Sequence, residues 1–339
     1  MTRDARCAHP TIPPVIRIRS LAVLAVRRMA AHWRLFASAA LGAIVSSAIL
    51  SATVIYADTI RDLGLRHALE QPAAETIAVK TSRDAASARR EEFQRSSQRI
   101  QGTVRGALGD GTGVVVRQGT SKTFYLTTPG GRVDEGDQRR PRAVLRFRDG
   151  LDQHVTSTAG TLQRGPAPAG TEPLPVTVAT DLASRSKVAV GDRFDLHAWW
   201  DPALPPLRVQ VASIVRANEP SEAYWKTFPT VLDEPLSGWP AFVFLVPEEA
   251  FFGALTSRMP TAAVTYHEAT SIRLDGLNAR NADGVANAID GLPEAVSALE
   301  REASIDTDLV GVLRGFDDRL FFVRIPLFVL LLQIGGIVA

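Results

Sequence analysis

The sequence predicts an α+β protein in which a mixed α/β domain is flanked by two apolar, membrane-spanning segments. Residues 35–56 are uncharged and mostly apolar, and residues 325–339 form a second uncharged stretch rich in leucine and valine. The region between them, residues 57–319, alternates between helical and strand periodicities. A region of this length is sufficient for one or two domains with packed cores.

Charge is distributed unevenly along the chain. Residues 1–34 hold seven arginines against one acid, whereas residues 57–319 hold 30 basic and 35 acidic side chains. The basic excess is therefore confined to the N-terminal tail and forms no patch on a folded domain, so no nucleic-acid partner is expected. The single cysteine, Cys7, lies in that tail. The middle region consequently has no disulfide and no thiolate for catalysis or metal binding.

The segment 35–56 is predicted to be a transmembrane helix. Its 22 residues rise about 33 Å, which exceeds the hydrocarbon core of about 30 Å. Arginines precede the segment and aspartates follow it, so the positive-inside rule places residues 1–34 in the cytoplasm as a basic tail. Residues 57–319 are then extracytoplasmic. The alternative, a cleaved signal peptide, requires a shorter basic region and a better cleavage site than Ile55-Tyr56-Ala57.

A stripe of small residues runs along the predicted transmembrane helix. Ser38, Gly42 and Ser46 recur at four-residue spacing, which places them on one helix face. Such a face allows another helix to approach closely, and it is a candidate site for packing against a second copy or another span. Chance placement in an alanine-rich segment is the alternative.

The C-terminal residues 320–339 are predicted to be the start of a second transmembrane helix. The fifteen residues of 325–339 rise only about 22 Å, so a helix that starts at Arg324 stops inside the bilayer. The simplest interpretation is a fragment of a larger multi-span protein located in a bacterial cell membrane. A C-terminal helix that packs on the domain is the alternative.

The domain is expected to begin with helices. Residues Ala57–Leu69 continue the first helix as a stalk, since only Gly64 interrupts the helical pattern. Residues Ser82–Leu108 are predicted to form one long amphipathic helix, with Phe93, Ile100, Val104 and Leu108 on one face. Glu91 and Arg95 are expected to pair on the other face of this helix. The run Gly109-Asp110-Gly111 ends it.

The rest of the domain is predicted to be rich in strands. Leu145 and Phe147 alternate with Arg146 and Arg148, and Asp149-Gly150 is read as a hairpin turn into a strand at 151–156. The predicted strands are 114–117, 123–127, 143–148, 151–156, 175–179, 188–190, 193–198, 207–215, 241–246 and 270–274. Two shorter helices are expected at 248–255 and 282–289.

The sequence contains no catalytic or metal-binding pattern, so we expect neither enzymatic activity nor a cofactor held by this chain. His67, His154, His197 and His267 have no ligand spacing, and the glycines at 109–113 lack a phosphate-loop arrangement. The acid pairs Asp317-Asp318 and Glu248-Glu249 are interpreted as solvated helix ends. Aromatic residues cluster near proline-containing loops, either as a partner or apolar ligand surface or as packing between subdomains. They are Trp199, Trp200, Tyr224, Trp225, Phe228 and Trp239.

One stretch of the domain resembles a known family. It comprises a strand at 175–179, a short helix containing Leu182 and Ala183, a turn at Gly191-Asp192 and a strand pair ending at Val215. This arrangement is similar to the extracytoplasmic domain of FtsX-like and MacB-like permeases. The surrounding layout of basic tail, single span, domain and second apolar segment resembles that family from residue 27 to residue 339.

The resemblance implies a transmembrane subunit of an ABC transporter. In that family a separate or fused cytoplasmic ATPase binds ATP. Dimerisation of the ATPases shifts the transmembrane spans, and stalks carry this shift to the outer domains. The partners implied are the ATPase subunit, a second permease copy or homologue, and membrane lipids. The resemblance also implies that the helix ending at Leu69 and the segment near Arg314–Arg319 transmit the movement.

Two functions remain open at the level of sequence. The first is this permease, which would act on a lipid-linked, peptide or drug-like cargo or on an envelope partner. The second is a membrane-bound sensor whose extracytoplasmic domain is bracketed by two helices. Further spans beyond residue 339 would favour the permease, whereas a single span followed by a signalling domain would favour the sensor.

Overall fold

A computed structural model describes residues 33–70, 77–133, 140–168, 170, 172–228 and 241–316. The chain divides into two compact units, Met1–Ile60 and Arg61–Ala339. The described part has a mixed α/β architecture, as the sequence predicts. The predicted tail at 1–34 lies almost wholly outside the described residues, and so does the predicted second span at 320–339.

The first helix is long and continuous. Helix α1 covers Trp33–Glu70, so the expectation that the helix continues through residues 57–69 is confirmed. Its first part belongs to the first unit, where exposed apolar side chains include Leu41, Ile44 and Ile55. Its last ten residues belong to the second unit, where Leu65 and Leu69 are buried.

Within the described residues, the second unit contains the remaining helices and one eleven-stranded sheet. The strands are β1 (Val79–Ala85), β2 (Thr112–Ser121), β3 (Phe124–Thr127), β4 (Arg142–Arg148), β5 (Val155–Gly160), β6 (Leu174–Ala179), β7 (Arg193–His197), β8 (Leu207–Ala217), β9 (Ala241–Leu245), β10 (Val264–Ile272) and β11 (Ala303–Asp306). The helices are α2 (Arg90–Leu108), α3 (Leu151–His154), α4 (Thr180–Ser186), α5 (Ala223–Lys226), α6 (Glu248–Arg258), α7 (Ala282–Asp290) and α8 (Leu292–Leu299). A final helical segment occupies 309–316.

Six strands of the sheet close into a ring. The order β4-β3-β7-β8-β6-β9 returns to its start because β9 also pairs in parallel with β4. The interior of this barrel is apolar and includes Phe124, Leu145, Phe147, Val176 and Phe244, all fully buried. Strand β5 adds to the outside of the ring by pairing with β8.

The other four strands extend from the barrel as an open sheet in the order β11-β1-β10-β2. Helices α2, α7 and α8, the end of α1 and the segment 309–316 supply a second apolar core. In α2 the buried apolar residues are Phe93, Ile100, Val104 and Leu108, the four that the helical spacing predicts. The described part of the domain thus has one core inside the barrel, a second beneath the helices and a third, smaller cluster around Val144 and Trp225 on the outer face of β4.

Some predicted elements are wrong. The predicted helix at 82–108 begins only at Arg90, because residues 79–85 alternate between buried and more accessible positions as a strand between β10 and β11. Arg95 does contact Glu91, as predicted, but through the backbone: its guanidinium donates to the carbonyl of Glu91 at 3.3 Å. Residues 188–190 do not form a strand; they lead into a turn at 190–191. The strand β11 and the helix α8 were not predicted.

The predicted hairpin at Asp149-Gly150 is also wrong. Gly150 has a φ of 68° and leads into the short helix α3, and the strand that follows, β5, pairs with β8 and not with β4. Arg146 and Arg148 alternate with apolar residues along β4, a pattern that is typical of a strand with one solvated face. Both are 4% exposed, because β4 lies inside the sheet with apolar residues covering both of its faces.

Candidate functional site

Two helical segments, one at each end of the described part of the second unit, share one core. We call these segments, residues 61–70 of α1 and residues 309–316, the helix pair. Leu65 and Leu69 are buried one helical turn apart on the first segment, as are Leu309 and Leu313 on the second. This spacing turns one apolar face of each segment toward the core of the open sheet.

The closest approach within the helix pair involves Gly64. A Cβ atom placed on Gly64 would lie 3.2 Å from Cε2 of Phe316, which is tighter than most such contacts. Phe316 is 8% exposed and belongs to the same apolar core as Leu65. Glycine at this position therefore lets the aromatic ring lie directly against the backbone of α1.

Polar contacts tie both segments to the region around α7. The carboxylate Oδ1 of Asp62 accepts a hydrogen bond from the backbone N–H of Ala279 at 2.9 Å. On the other segment, the guanidinium of Arg314 donates to Oδ2 of Asp290 at 2.7 Å. Both side chains of this ion pair are more than half exposed, so the pair contributes little stability by itself. The ion pair instead helps to orient the segments. Ala279, just before α7, contacts residues 61–70, and Asp290, at the end of α7, contacts residues 309–316.

This arrangement suits transmission of a displacement. Close-packed interiors have low compressibility, so moving one buried helix shifts the neighbours that it contacts. Leu65 and Leu313 lie in one core with Val104 of α2 and Ile289 of α7. A displacement of either segment of the helix pair would therefore also shift α2 and α7.

The four residues of the family-like stretch have structural roles. Leu182 and Ala183 of α4 are both 5% exposed and pack in the barrel core. Gly191 has a φ of 98°, which glycine adopts readily, and its N–H donates to the carbonyl of Val211 at 2.8 Å. Asp192 accepts the backbone N–H of Ala189 through Oδ2 at 2.8 Å and so closes the turn.

Ser38, Gly42 and Ser46 all lie on α1 in the first unit. A Cβ added to Gly42 would meet no atom within 4 Å. The structure contains one copy of the chain, so a packing role for this stripe stays a prediction. Within the described residues no helix is both long enough and apolar enough to qualify as a membrane span.

The predicted aromatic cluster separates into two sites, and Trp239 lies outside the described residues. Trp200 packs its ring 5.1 Å from that of Phe124, while Trp199 stays about half exposed beside the ammonium of Lys122. Tyr224 and Trp225 instead surround Arg148 on the outside of the barrel.

Arg148 is the centre of the second aromatic site, and the sequence alone does not reveal it. Its guanidinium lies 4.1 Å from the ring centroid of Tyr224 and donates to the carbonyls of Tyr224 and Phe228. A further hydrogen bond reaches Oγ1 of Thr227 at 3.3 Å. Burial lowers the pKa of Arg148 to about 10, so it stays cationic at neutral pH. These contacts fix the segment 224–228 against β4.

A network of charged side chains lies beside this site. Arg117 donates to Asp149 at 2.5 Å and lies 4.0 Å from Glu248, which also pairs with Arg90 at 3.1 Å. Burial raises the pKa of Asp149 above its ordinary value, with Arg117 acting in the opposite direction. Glu248 and Glu249 begin α6, as predicted for a helix end. Glu249 is 48% exposed, but the side chain of Glu248 is only 17% exposed, so the prediction that it is solvated is wrong. Asp317 and Asp318 lie outside the described residues.

His154 and His197 lie in different places and have different partners. Nδ1 of His154 is 2.9 Å from Oε2 of Glu222, and its ring stacks on Tyr224 at 3.7 Å. Nε2 of His197 is 2.9 Å from Oγ1 of Thr127. Among the residues that the structure describes, no group of three histidine, cysteine or acidic side chains could hold a metal ion.

Comparisons with known proteins find likeness only at the level of solved structures. No protein-family model matches the chain, and no curated protein matches its sequence. The periplasmic region of MacB from Actinobacillus actinomycetemcomitans aligns with 75% of this chain and 97% of its own, at 10% identity and a TM-score of 0.33. A domain of a proposed permease protein from Porphyromonas gingivalis aligns over 69% and 90%, at 11% identity and a TM-score of 0.31. Similarity at this level does not assign the chain to a family.

Proposed function

We propose that this chain is the transmembrane permease subunit of an FtsX-like or MacB-like ABC transporter. The observation that carries the proposal is the helix pair: residues 61–70 and 309–316 share one core, and Gly64 lies against Phe316. A movement of the spans would then reach the domain through two helices at once. The resemblance of the stretch at 175–215 to that family supports the same assignment.

The membrane placement is part of the proposal. Helix α1 is continuous through the uncharged residues 35–56, and its exposed apolar side chains, such as Leu41 and Ile44, would face lipid. The arginines of residues 1–34 would remain cytoplasmic, residues 57–319 would be extracytoplasmic, and residues 320–339 would begin a second span. Replacing Arg27, Arg28 and Arg34 with glutamine should weaken this orientation. A reporter fused after Arg319 should report an extracytoplasmic position, and a cytoplasmic signal would contradict the topology.

The proposed partners follow from this assignment. A cytoplasmic ATPase would bind the ATP, so this chain would need no cofactor and no catalytic residues of its own. The stripe of Ser38, Gly42 and Ser46 would pack against a second permease copy or homologue. The cargo would be lipid-linked, peptide or drug-like, or the domain would act on an envelope partner.

The test is to purify the full-length protein from the membranes of its own host and to identify what accompanies it. We expect an ATPase with a phosphate-binding loop, and ATP hydrolysis by the complex. Hydrogen exchange of residues 61–70 and 309–316 should then differ with and without a non-hydrolysable ATP analogue. A co-purifying or fused signalling domain in place of an ATPase would support the sensor instead.

Two matched variants test the role of the helix pair. Phe316→Ala removes the ring beside Gly64, whereas Leu299→Ala removes a side chain of similar apolar character that is 39% exposed. The first variant should reduce the nucleotide-dependent change in exchange while ATP hydrolysis continues, and the second should leave both unchanged. Equal behaviour of the two variants would contradict the role of the helix pair.

A further inference from the structure

Helix α2 contributes to two apolar cores, that of the barrel and that of the helix pair. Phe93, in its first turn, lies in the barrel core, where its ring centroid is 5.5 Å from that of Phe147 and 5.6 Å from that of Phe252. Buried residues of its second half lie in the core that contains the helix pair. They are Ile100, Val104 and Leu108. One helix of 19 residues, about 28 Å long, therefore reaches from one core to the other.

The start of α2 is fixed to α6 by polar contacts as well as by the rings. The guanidinium of Arg90 lies 3.1 Å from the carboxylate of Glu248 and 3.5 Å from that of Glu249, in the first turn of α6. The carbonyl of Ala88, just before α2, accepts a hydrogen bond from Oγ1 of Thr256 at 2.8 Å, in the last turn of α6. A shift of α2 must therefore move α6 or break these contacts.

Helix α6 continues the connection into the barrel. Phe251 and Leu255 are fully buried in the barrel core. In the last turn, the guanidinium of Arg258 donates to the carbonyls of Pro168 at 2.7 Å and Glu172 at 2.8 Å. Helix α6 thus joins the interior of the barrel to the loop that precedes β6.

The sheet is a second possible connection between the two parts of the domain. Strand β2 pairs with β10 of the open sheet and with β4 of the barrel. The pairing with β4 covers only residues 118–120 of β2. A link through α2 and a link through β2 can be told apart, because the contacts of α2 with α6 can be removed while the strand pairing stays.

We infer that α2 is a mechanical link, so that a displacement of the helix pair shifts α2, and α2 in turn shifts α6 and the barrel. Close-packed cores at both ends of one helix favour such transmission, since they have low compressibility. The coupling is a property of the domain itself, whereas its use in transport rests on the proposed function.

The test is hydrogen exchange, followed by mass spectrometry, of the full-length chain in lipid nanodiscs without nucleotide. Gly64→Ala perturbs the helix pair, because its added Cβ would lie 3.2 Å from the ring of Phe316. We expect amide exchange in α6 to rise about threefold or more, whereas exchange in the barrel strand β8 stays within about twofold of the wild type. A general loss of stability would instead raise exchange in both elements alike.

Separate variants detach α2 from α6. Phe93→Leu removes the ring contact with Phe252 and keeps an apolar side chain, and Arg90→Gln removes the ion pairs with α6. In either background Gly64→Ala should raise exchange in α6 by less than half as much as in the wild type. Should Phe93→Leu fail to fold, Arg90→Gln tests the link by itself. Arg258→Gln is the matched control, because it breaks contacts of α6 on the side of the β6 loop and should leave the rise unchanged.

Three results would overturn the inference. They are no rise in α6, an equal rise in α6 and β8, and a rise that persists in full when α2 is detached from α6. The last result would assign the coupling to the sheet. Because these measurements use no nucleotide, their failure leaves the proposed function unaffected, while the absence of an ATPase partner would affect the proposed function alone.

Discussion

The contact between Gly64 and Phe316 gives a quantitative test of the helix pair. Replacing Gly64 with alanine has two opposing effects on the free energy of unfolding. Alanine is favoured over glycine in a helix by about 1 kcal/mol. The new Cβ atom would, however, lie 3.2 Å from Cε2 of Phe316, and overpacking in a close-packed core costs about 1–3 kcal/mol. The single variant should therefore be neutral or up to about 2 kcal/mol less stable.

The sign should reverse when the ring is absent. Phe316→Ala alone should cost up to about 3–5 kcal/mol, since Phe316 is 8% exposed. In that background Gly64→Ala should gain its full helical advantage of about 1 kcal/mol. The difference between the two backgrounds is a coupling energy of about 1–3 kcal/mol, as expected for side chains in contact.

The assay is thermal unfolding of the four proteins in nanodiscs. One kcal/mol corresponds to about 2–4 °C for a domain of this size. Gly102→Ala on α2 is the matched control, because it is also a helical glycine and its added Cβ meets nothing within 4 Å. It should raise stability equally in both backgrounds. If Gly64→Ala behaves in the same way as Gly102→Ala, Phe316 does not lie against Gly64 and the reasoning is refuted.

Three further predictions concern the domain itself. Gly119→Ala would place a Cβ 2.3 Å from Cε1 of the buried Phe147 and should lower the free energy of unfolding in urea by about 1–3 kcal/mol or more, whereas Gly284→Ala, whose Cβ meets nothing, should not lower it. Arg148→Lys keeps the charge but loses the planar donors to the carbonyls of Tyr224 and Phe228, so it should lower the free energy of unfolding by about 2–4 kcal/mol. An unchanged unfolding temperature would contradict the role of Arg148. Burial raises the pKa of Glu268 above 4.5, so its carboxylate costs stability at neutral pH and that cost falls as protonation begins on acidification. Glu268→Gln should therefore be at least as stable as the wild type at pH 7, with the difference shrinking toward pH 4.5; a variant that is equally destabilised at every pH would refute this.

Elements with strong local patterns could be predicted from the sequence. The apolar spacing of Phe93, Ile100, Val104 and Leu108 defines the buried face of α2, and Gly109 ends that helix with a φ of 54°. Helical periodicity and turn residues act over a few neighbouring positions, so they can be read without knowledge of the fold.

Elements whose identity depends on distant partners could not be predicted. Residues 79–85 form β1 because β10 and β11 lie on both sides of them, and both partners are more than 170 residues away in the chain. Arg148 is buried because residues 224–228 close over it with carbonyl acceptors and aromatic rings. The alternation of apolar and basic residues along β4 does not indicate that residues 224–228 bury Arg148.

The sequence by itself determined the long uncharged stretch at 35–56, the charge imbalance around it and the mixed α/β class of the domain between the apolar segments. Only the tertiary structure decided that six strands close into a barrel, that Phe316 lies on Gly64 across 252 positions of chain, and that Phe93 and Val104 of one helix lie in different cores. Local preferences follow from neighbouring residues, whereas these contacts depend on strand order and register, which are set by packing over the whole domain.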